Sequence, residues 1–253
     1  LFRVTNSFYM GCYNAAYGRI LGLPTNGLTM TIGQPSRHVP MYLGYKTVKN
    51  YEGYPPLGEA ILRLTNATFS AYLTDLMLGI CDNTNDWGGG YGVLDLVSST
   101  LTAFEVTGTI RVGQGSNDYS GKATGYLMLP SGTASCGRLL IGSTNASFSY
   151  GLVELHGTKF VVTNSLTIGP TGKLPNYLTG TSGGIALANP DTNSLTIHPG
   201  GFLFVRFDSD PTDRGDDYWG LRMAGDQRDY FQQLRDAGRL GWTNLMSHDL
   251  DRR

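Results

Sequence analysis

Charge is what this chain has least of. Only 15% of its 253 residues are Asp, Glu, Lys or Arg, and the formal net charge is −1. Nucleic-acid partners call for a basic patch or stripe, which a balance this sparse and even does not supply. No apolar run approaches the ~20 residues of a membrane-spanning helix, so membrane insertion is not expected. The three cysteines, Cys12, Cys81 and Cys136, stand far apart with no C-x-x-C pair. That argues against thiolate metal or redox chemistry and leaves a single disulfide open. No metal or other cofactor is expected. No signal peptide opens the chain at Leu1, so an exported protein would be represented here by a mature form or a fragment.

Glycine and a recurring phrase are what it has most of. Gly counts 35, about twice the usual ~7%. Three segments between Gly92 and Gly169 open on Gly-x-[Leu/Val]-x-Leu and close on a pair of aliphatic residues followed by Gly. They carry Leu94, Leu96, Ile110 and Val112; then Leu127, Leu129, Leu139 and Ile141; then Val153, Leu155, Leu166 and Ile168. The phrase recurs upstream at Leu62, Leu64, Leu76 and Leu78, and downstream at Ile185, Leu187, Leu195 and Ile197. The closing glycines at 79, 113, 142 and 169 are 34, 29 and 27 residues apart, a spacing suited to stacked structural repeats.

Apolar residues alternate with polar ones in each copy, so one pleat face turns inward and the other to water. One copy cannot bury its apolar face alone, whereas stacked copies build a continuous core. The reading is an all-β protein: a parallel β-solenoid (β-helix) with an irregular N-terminal arm and a short C-terminal helical cap. An antiparallel β-sandwich is the alternative, because its short alternating strands look similar. The divisions are 1–60 for the arm and a first irregular coil, 61–205 for the solenoid, and 206–253 for the cap.

Residues 1–60 fit the phrase poorly, although Leu28–Gly33 echoes its ending. Seven tyrosines fall there. They read either as cap residues with their hydroxyls in water or as a contact surface, since tyrosine is enriched at interfaces. Asn66-Ala-Thr68 and Asn145-Ala-Ser147 match the N-glycosylation acceptor pattern, which makes Asn66 and Asn145 candidate glycan sites. The loop from Cys81 to Gly92 carries Trp87 beside Asp82 and Asp86, which could stack on a sugar but reads more simply as a surface loop. Gly180-Thr-Ser182-Gly-Gly184 matches G-x-S-x-G. The residues after it form a short strand and turn where a nucleophile elbow needs a helix, and the four histidines are scattered, so Ser182 reads as a loop residue.

The composition changes abruptly towards the C-terminus. Residues 92–200 hold ten charged side chains, whereas 201–253 hold eighteen. Asp226 and Asp229 begin a helical pattern in a capping-box-like arrangement. Tyr230, Phe231, Leu234 and Ala237 make its apolar stripe, and Gly238 supplies a stop. Five aspartates from Asp208 to Asp217 could offer oxygen to Ca²⁺, but their spacing is not that of an EF-hand, and Arg206, Arg214 and Arg222 are close enough to neutralise them.

The Asp210–Asp226 string, followed by a helix and Gly-Arg-Leu-Gly-Trp, together with the phrase Ser165–Lys173, resembles repetitive β-solenoid surface proteins of environmental bacteria of the planctomycete and verrucomicrobial kind. The resemblance covers roughly 90–250. It implies an exported, non-enzymatic surface or matrix role and transfers no catalytic residue.

The expected function is therefore a structural subunit of an extracellular or cell-surface fibre or matrix, assembled head to tail from copies of itself. Tyr9, Tyr13 and Tyr17 at one end, and Tyr218, Trp219 and Trp242 at the other, are the candidate joint. A β-helical polysaccharide lyase or hydrolase is the enzymatic alternative. It needs carboxylates or a basic residue gathered on one face of adjacent coils, and Asp95, Glu105, Asp118, Glu154 and Asp191 show no such alignment in sequence. A glycan-binding adhesin is the third reading, differing from the first only in its partner.

Overall fold

The structure, a computed structural model, describes residues 1–12, 17–21, 27–46, 57–82, 89–115, 123–143, 149–178, 183–188, 194–207, 218–223 and 228–243. Its strands wind as successive coils of a solenoid with three faces, here A, B and C, and every strand-to-strand ladder is parallel. The antiparallel sandwich is thereby excluded.

Among the described residues, face B opens with β1 (Phe2–Val4) and face C with β2 (Phe8–Met10). The next coil places β3 (Tyr17–Leu21) on A, β4 (Leu28–Ile32) on B and β5 (Val39–Lys46) on C. The long strands β6 (Leu57–Cys81) and β7 (Gly89–Val112) each wrap all three faces. Their mutual register breaks between Arg63 and Thr68 and again between Leu73 and Leu76, where the chain turns a corner. Two further coils follow. In the first, β8 (Thr124–Leu129) lies on A and β9 (Gly132–Ile141) covers B and C; in the second, β10 (Tyr150–His156) lies on A and β11 (Thr158–Ile168) covers B and C. The solenoid then continues with β12 (Gly172–Leu178) on A, β13 (Gly183–Leu187) on B and β14 (Leu195–Ile197) on C. It ends with β15 (Phe202–Phe207) on A, β16 (Tyr218–Met223) on B, the helix α1 (Arg228–Asp236), and β17 (Leu240–Thr243) on A.

The core is built from columns of register partners. Leu62, Leu94, Leu127 and Val153 stand in one column under face A. Leu76, Ile110, Leu139, Leu166 and Leu195 form another under face C, beside Leu78, Val112, Ile141, Ile168 and Ile197. Under face B the column Ala71, Phe104, Ala134, Phe160 alternates small with large, so each ring spreads over a small neighbour at close-packed density. All twelve aliphatic residues singled out between 94 and 168 are fully buried.

Glycine makes the corner from C to A. Gly79 and Gly113 have φ of 60° and 63°, a left-handed conformation that costs other residues energy. Each also presses on face A of the coil after next, where a Cβ would run into the Thr124 carbonyl at Gly79 and the Tyr150 carbonyl at Gly113. Gly169 works differently: its carbonyl accepts from Gly172 N–H at 2.8 Å in a tight turn.

The sheet extends upstream of residue 61. β1 pairs in parallel with β4, β2 with β5, and β3, β4 and β5 with β6, so the described strands of the N-terminal region join the same sheet. The helix forms as its apolar stripe requires. Leu234 is buried, and Tyr230 and Phe231 pack against the core. Gly238 at φ 67° stops it: its N–H donates to Arg235 and that of Arg239 donates to Leu234, the paired bonds of a Schellman cap.

Candidate functional site

On face A the outward positions alternate with the buried Leu and Val of the core, and aromatic rings collect there. Tyr91 in β7 and Tyr150 in β10 are both register partners of Thr124 in β8, and Tyr126 stands two residues further along β8. The ring of Tyr126 lies 5.9 Å from that of Tyr91 and 5.9 Å from that of Tyr150, tilted by 56° and 53°. The three rings thus form a row across three successive coils. Partial burial raises the pKa of Tyr91 and Tyr150, helped at both by the neighbouring Tyr126 phenol, so both remain protonated donors at neutral pH.

Polar pairs flank this row. Arg63 and Asp95 are register partners on β6 and β7, and Arg63 Nε donates to Asp95 Oδ2 at 2.7 Å. Met128 and Glu154 continue the same column. Glu154 Oε2 lies 3.4 Å from His156 Nε2, and Arg19 pairs with Glu59. The column corrects the sequence reading, which found no aligned acidic residues: Asp95 and Glu154 share one register position two coils apart, about 9.6 Å at the usual strand spacing. Glu105 lies elsewhere, 3.2 Å from His38. Asp118, Asp191, Ser182, Trp87 and the Asp208–Asp217 cluster lie outside the described residues.

A second aromatic group stands on face C near the N-terminal end. Tyr9 and Tyr42 are register partners with rings 4.9 Å apart, and Tyr45 is 5.1 Å from Tyr42. Tyr45 donates to Asp82 at 3.0 Å, and Arg111 binds the same carboxylate. Burial, then the Asp82 charge, pushes the Tyr45 pKa up to about 12.

The aromatic residues proposed as a joint from sequence fall on strands at the two ends where they are described. Tyr9 and Tyr17 are exposed, at 45% and 67%, on β2 and β3. Tyr13 lies outside the described residues. Tyr218 and Trp219 open β16, and Trp242 lies in β17, at the other end. Asn66 is exposed at the A-to-B corner of β6 in a left-handed conformation, φ 53°, whereas Asn145 lies outside the described residues. The three cysteines are buried and form no disulfide; burial raises the pKa of Cys12 and Cys136. Among the described residues no group of three or more His, Cys, Asp or Glu could hold a metal ion, and no helix is long and apolar enough to cross a membrane.

The Tyr91–Tyr126–Tyr150 row was missed in the sequence although a signal exists. Each tyrosine sits beside one of the glycines Gly92, Gly125 and Gly151, which stack as register partners. No protein-family model, curated protein or solved structure matches this chain.

Proposed function

We propose that this chain is a non-enzymatic structural subunit, exported to the cell surface or matrix, that joins copies of itself head to tail. The observation that carries this reading is the N-terminal end of the solenoid. There β1, β2 and β3 each pair on one side only among the described strands. Val4, Phe8, Met10 and Ile20 at that end are only partly buried against the core, and Phe2 and Leu21 are exposed. An unpaired row of N–H and C=O groups over apolar side chains is a template for another strand.

The two ends also differ in charge, which favours a heterologous contact over a symmetric one. Residues 1–60 carry five basic and two acidic side chains, and 206–253 carry eight basic and ten acidic. Opposite signs steer unlike ends together, and an unlike-end contact propagates unless its rotation closes a ring. The helix α1 covers the C-terminal end on face C, where Tyr230 O–H donates to the Leu195 carbonyl of β14, leaving the A and B edges for the joint.

The enzymatic alternative has one observation in its favour, the shared column of Asp95 and Glu154. Both carboxylates are engaged, however, Asp95 by Arg63 and the Val97 N–H and Glu154 by His156. An acid–base pair needs one of them directed at a substrate or water. Asp95→Asn should accordingly leave polysaccharide-cleavage assays unchanged.

Deleting residues 1–26 tests the joint. Loss of fibres in negative-stain images with the β circular-dichroism spectrum retained supports it. Fibres that persist, or a native chain that sediments as a monomer at high concentration, defeat it. The joint should bury roughly 1,000 Å² or more.

A further inference from the structure

We infer that face A is a binding site for a neutral, extended polysaccharide, with Tyr91, Tyr126 and Tyr150 as stacking platforms for successive sugar rings. The inference does not depend on fibre formation, because it concerns a side of the solenoid and not its ends.

The three rings have no core to serve. They project outward from strands whose inward partners, Leu94, Leu127 and Val153, are fully buried. An outward aromatic row that packing leaves half-exposed, Tyr150 at 36%, marks an interaction surface. Its spacing is fixed by the parallel ladder, so the platform exists before any ligand arrives and little ordering is needed on binding.

A pyranose ring is amphipathic in a matching way. One flat face presents C–H groups, which are attracted to the negative face of an aromatic ring, and the rim presents hydroxyls that need donors and acceptors. Both kinds of group lie along the row. The Arg63 guanidinium, its side chain 54% exposed, stands on one side, and the His156 imidazole on the other. The phenol hydroxyls both donate and accept, and add hydrogen-bonding groups of their own.

Charge selects the ligand class. The outward charged residues of face A from β3 to β12 are Arg19, Arg63 and Lys173 against Glu59, Asp95 and Glu154, a net of zero. A uronate, sulfated or nucleic-acid chain would find no excess of positive charge. A neutral polymer needs none, and its attachment through stacking and neutral hydrogen bonds should survive salt. Among the described residues face B offers no comparable row: β4, β6 and β7 present Thr29, Thr68 and Thr100 at one register position there.

Affinity gel electrophoresis of the full chain decides the matter, using hydroxyethylcellulose, laminarin, xylan and galactomannan as neutral probes and polygalacturonate as the anionic one, each at low and high salt. At least one neutral polymer should retard the chain, with little change on adding salt. Tyr126→Ala should weaken that retardation about tenfold, the equivalent of one good stacking contact, while Tyr126→Phe retains most of it and Thr100→Ala all of it. Circular dichroism keeps the comparison to folded variants. Because Tyr126 is only partly buried, a misfolded Tyr126→Ala is replaced by Tyr150→Ala, with the same expectation. The inference is overturned if no neutral polymer retards the chain, if retention is confined to polygalacturonate and lost with salt, or if the alanine variants bind as the parent does. A change in sedimentation with no change in any polymer gel would also overturn it, assigning face A to lateral contact between copies.

Discussion

Faces A and B are one corner apart and are continuous through β6 and β7, yet their outward halves differ in kind. Face A carries Tyr91, Tyr126 and Tyr150 with ion pairs beside them. Face B carries Thr29, Thr68 and Thr100 in one column, and Thr31 and Ser70 in the next. Their inward halves are alike: Leu94 and Leu127 under A and Phe104 and Phe160 under B belong to one cluster. Since side chains alternate sides along a strand, stability and surface chemistry occupy separate sets of residues. The fold can therefore hold its inward columns constant while each face acquires its own chemistry.

The largest effects should come from the shared half and should ignore the difference between faces. Phe160→Ala under B should cost about 3–5 kcal/mol and Leu155→Ala under A about 2–5 kcal/mol, because each leaves a cavity in a fully buried column. Urea denaturation monitored by tyrosine fluorescence and by circular dichroism should shift together for both. If Leu155→Ala loosened face A alone, seen as two separated transitions, the faces would not share a core.

Much of this was legible in the sequence because the inward half is written as a pattern. Alternation placed Leu94 to Ile168 inside, and Gly238 and the apolar stripe placed the helix stop. The strands β1 to β5 were less legible because β1 to β4 run to only three to five residues, and only Leu28–Gly33 echoed the phrase. The tyrosine row and the Arg63–Asp95–Glu154 column were not read, for a physical reason. Coils of unequal length bring residues 91, 126 and 150 together only after each corner has absorbed a different number of residues. Outward positions also carry no apolar constraint that would reveal their alignment.

The corners between faces come next in size. Gly79→Ala would place a methyl against the Thr124 backbone in addition to forcing a left-handed φ, so it should cost more than about 2 kcal/mol. Gly238→Ala has the same kind of φ but open space around it, and should cost only about 1–2 kcal/mol. Equal losses in the two variants, measured by chemical denaturation, would show that coil-to-coil contact at the corner is not limiting.

Alkaline pH acts more gently, through tyrosines on faces A and C whose pKa is raised. The folded-state pKa of Tyr45 is raised from 10.0 to about 12, so the unfolded chain surrenders this proton first. Between pH 10 and about 12 the folded protein binds more protons than the unfolded one, and stability falls as pH rises. Below pH 10 the contribution is fully present. Tyr91 and Tyr150 shift in the same direction and should add to the fall. Tyr45→Phe should flatten the alkaline limb of a melting-temperature profile, whereas Thr100→Ala should leave its shape unchanged. An unaltered limb in Tyr45→Phe would remove Tyr45 from this account.

The smallest effects should come from the outward pairs, and they provide the finest test of the division between inward stability and outward chemistry. On face A, Arg63 and Asp95 meet at 2.7 Å with side chains 54% and 17% exposed. A pair this open to water gains little Coulomb energy and is screened by salt, so a double-mutant cycle should give a coupling of about 0.2–1 kcal/mol that shrinks as salt is added. On face B, the hydroxyls of Ser70 and Thr102 meet at 2.6 Å, and Thr102 also donates to the Phe69 carbonyl at 3.0 Å. No net charge is involved, so the Ser70–Thr102 coupling should be of similar size and indifferent to salt. Salt dependence on A with none on B would show the two faces differing in chemistry while contributing about equally little to folding. A coupling above about 2 kcal/mol for either pair would mean that outward side chains hold the coils together. The surface chemistry of face A would then be a requirement of the fold and not free to serve a ligand.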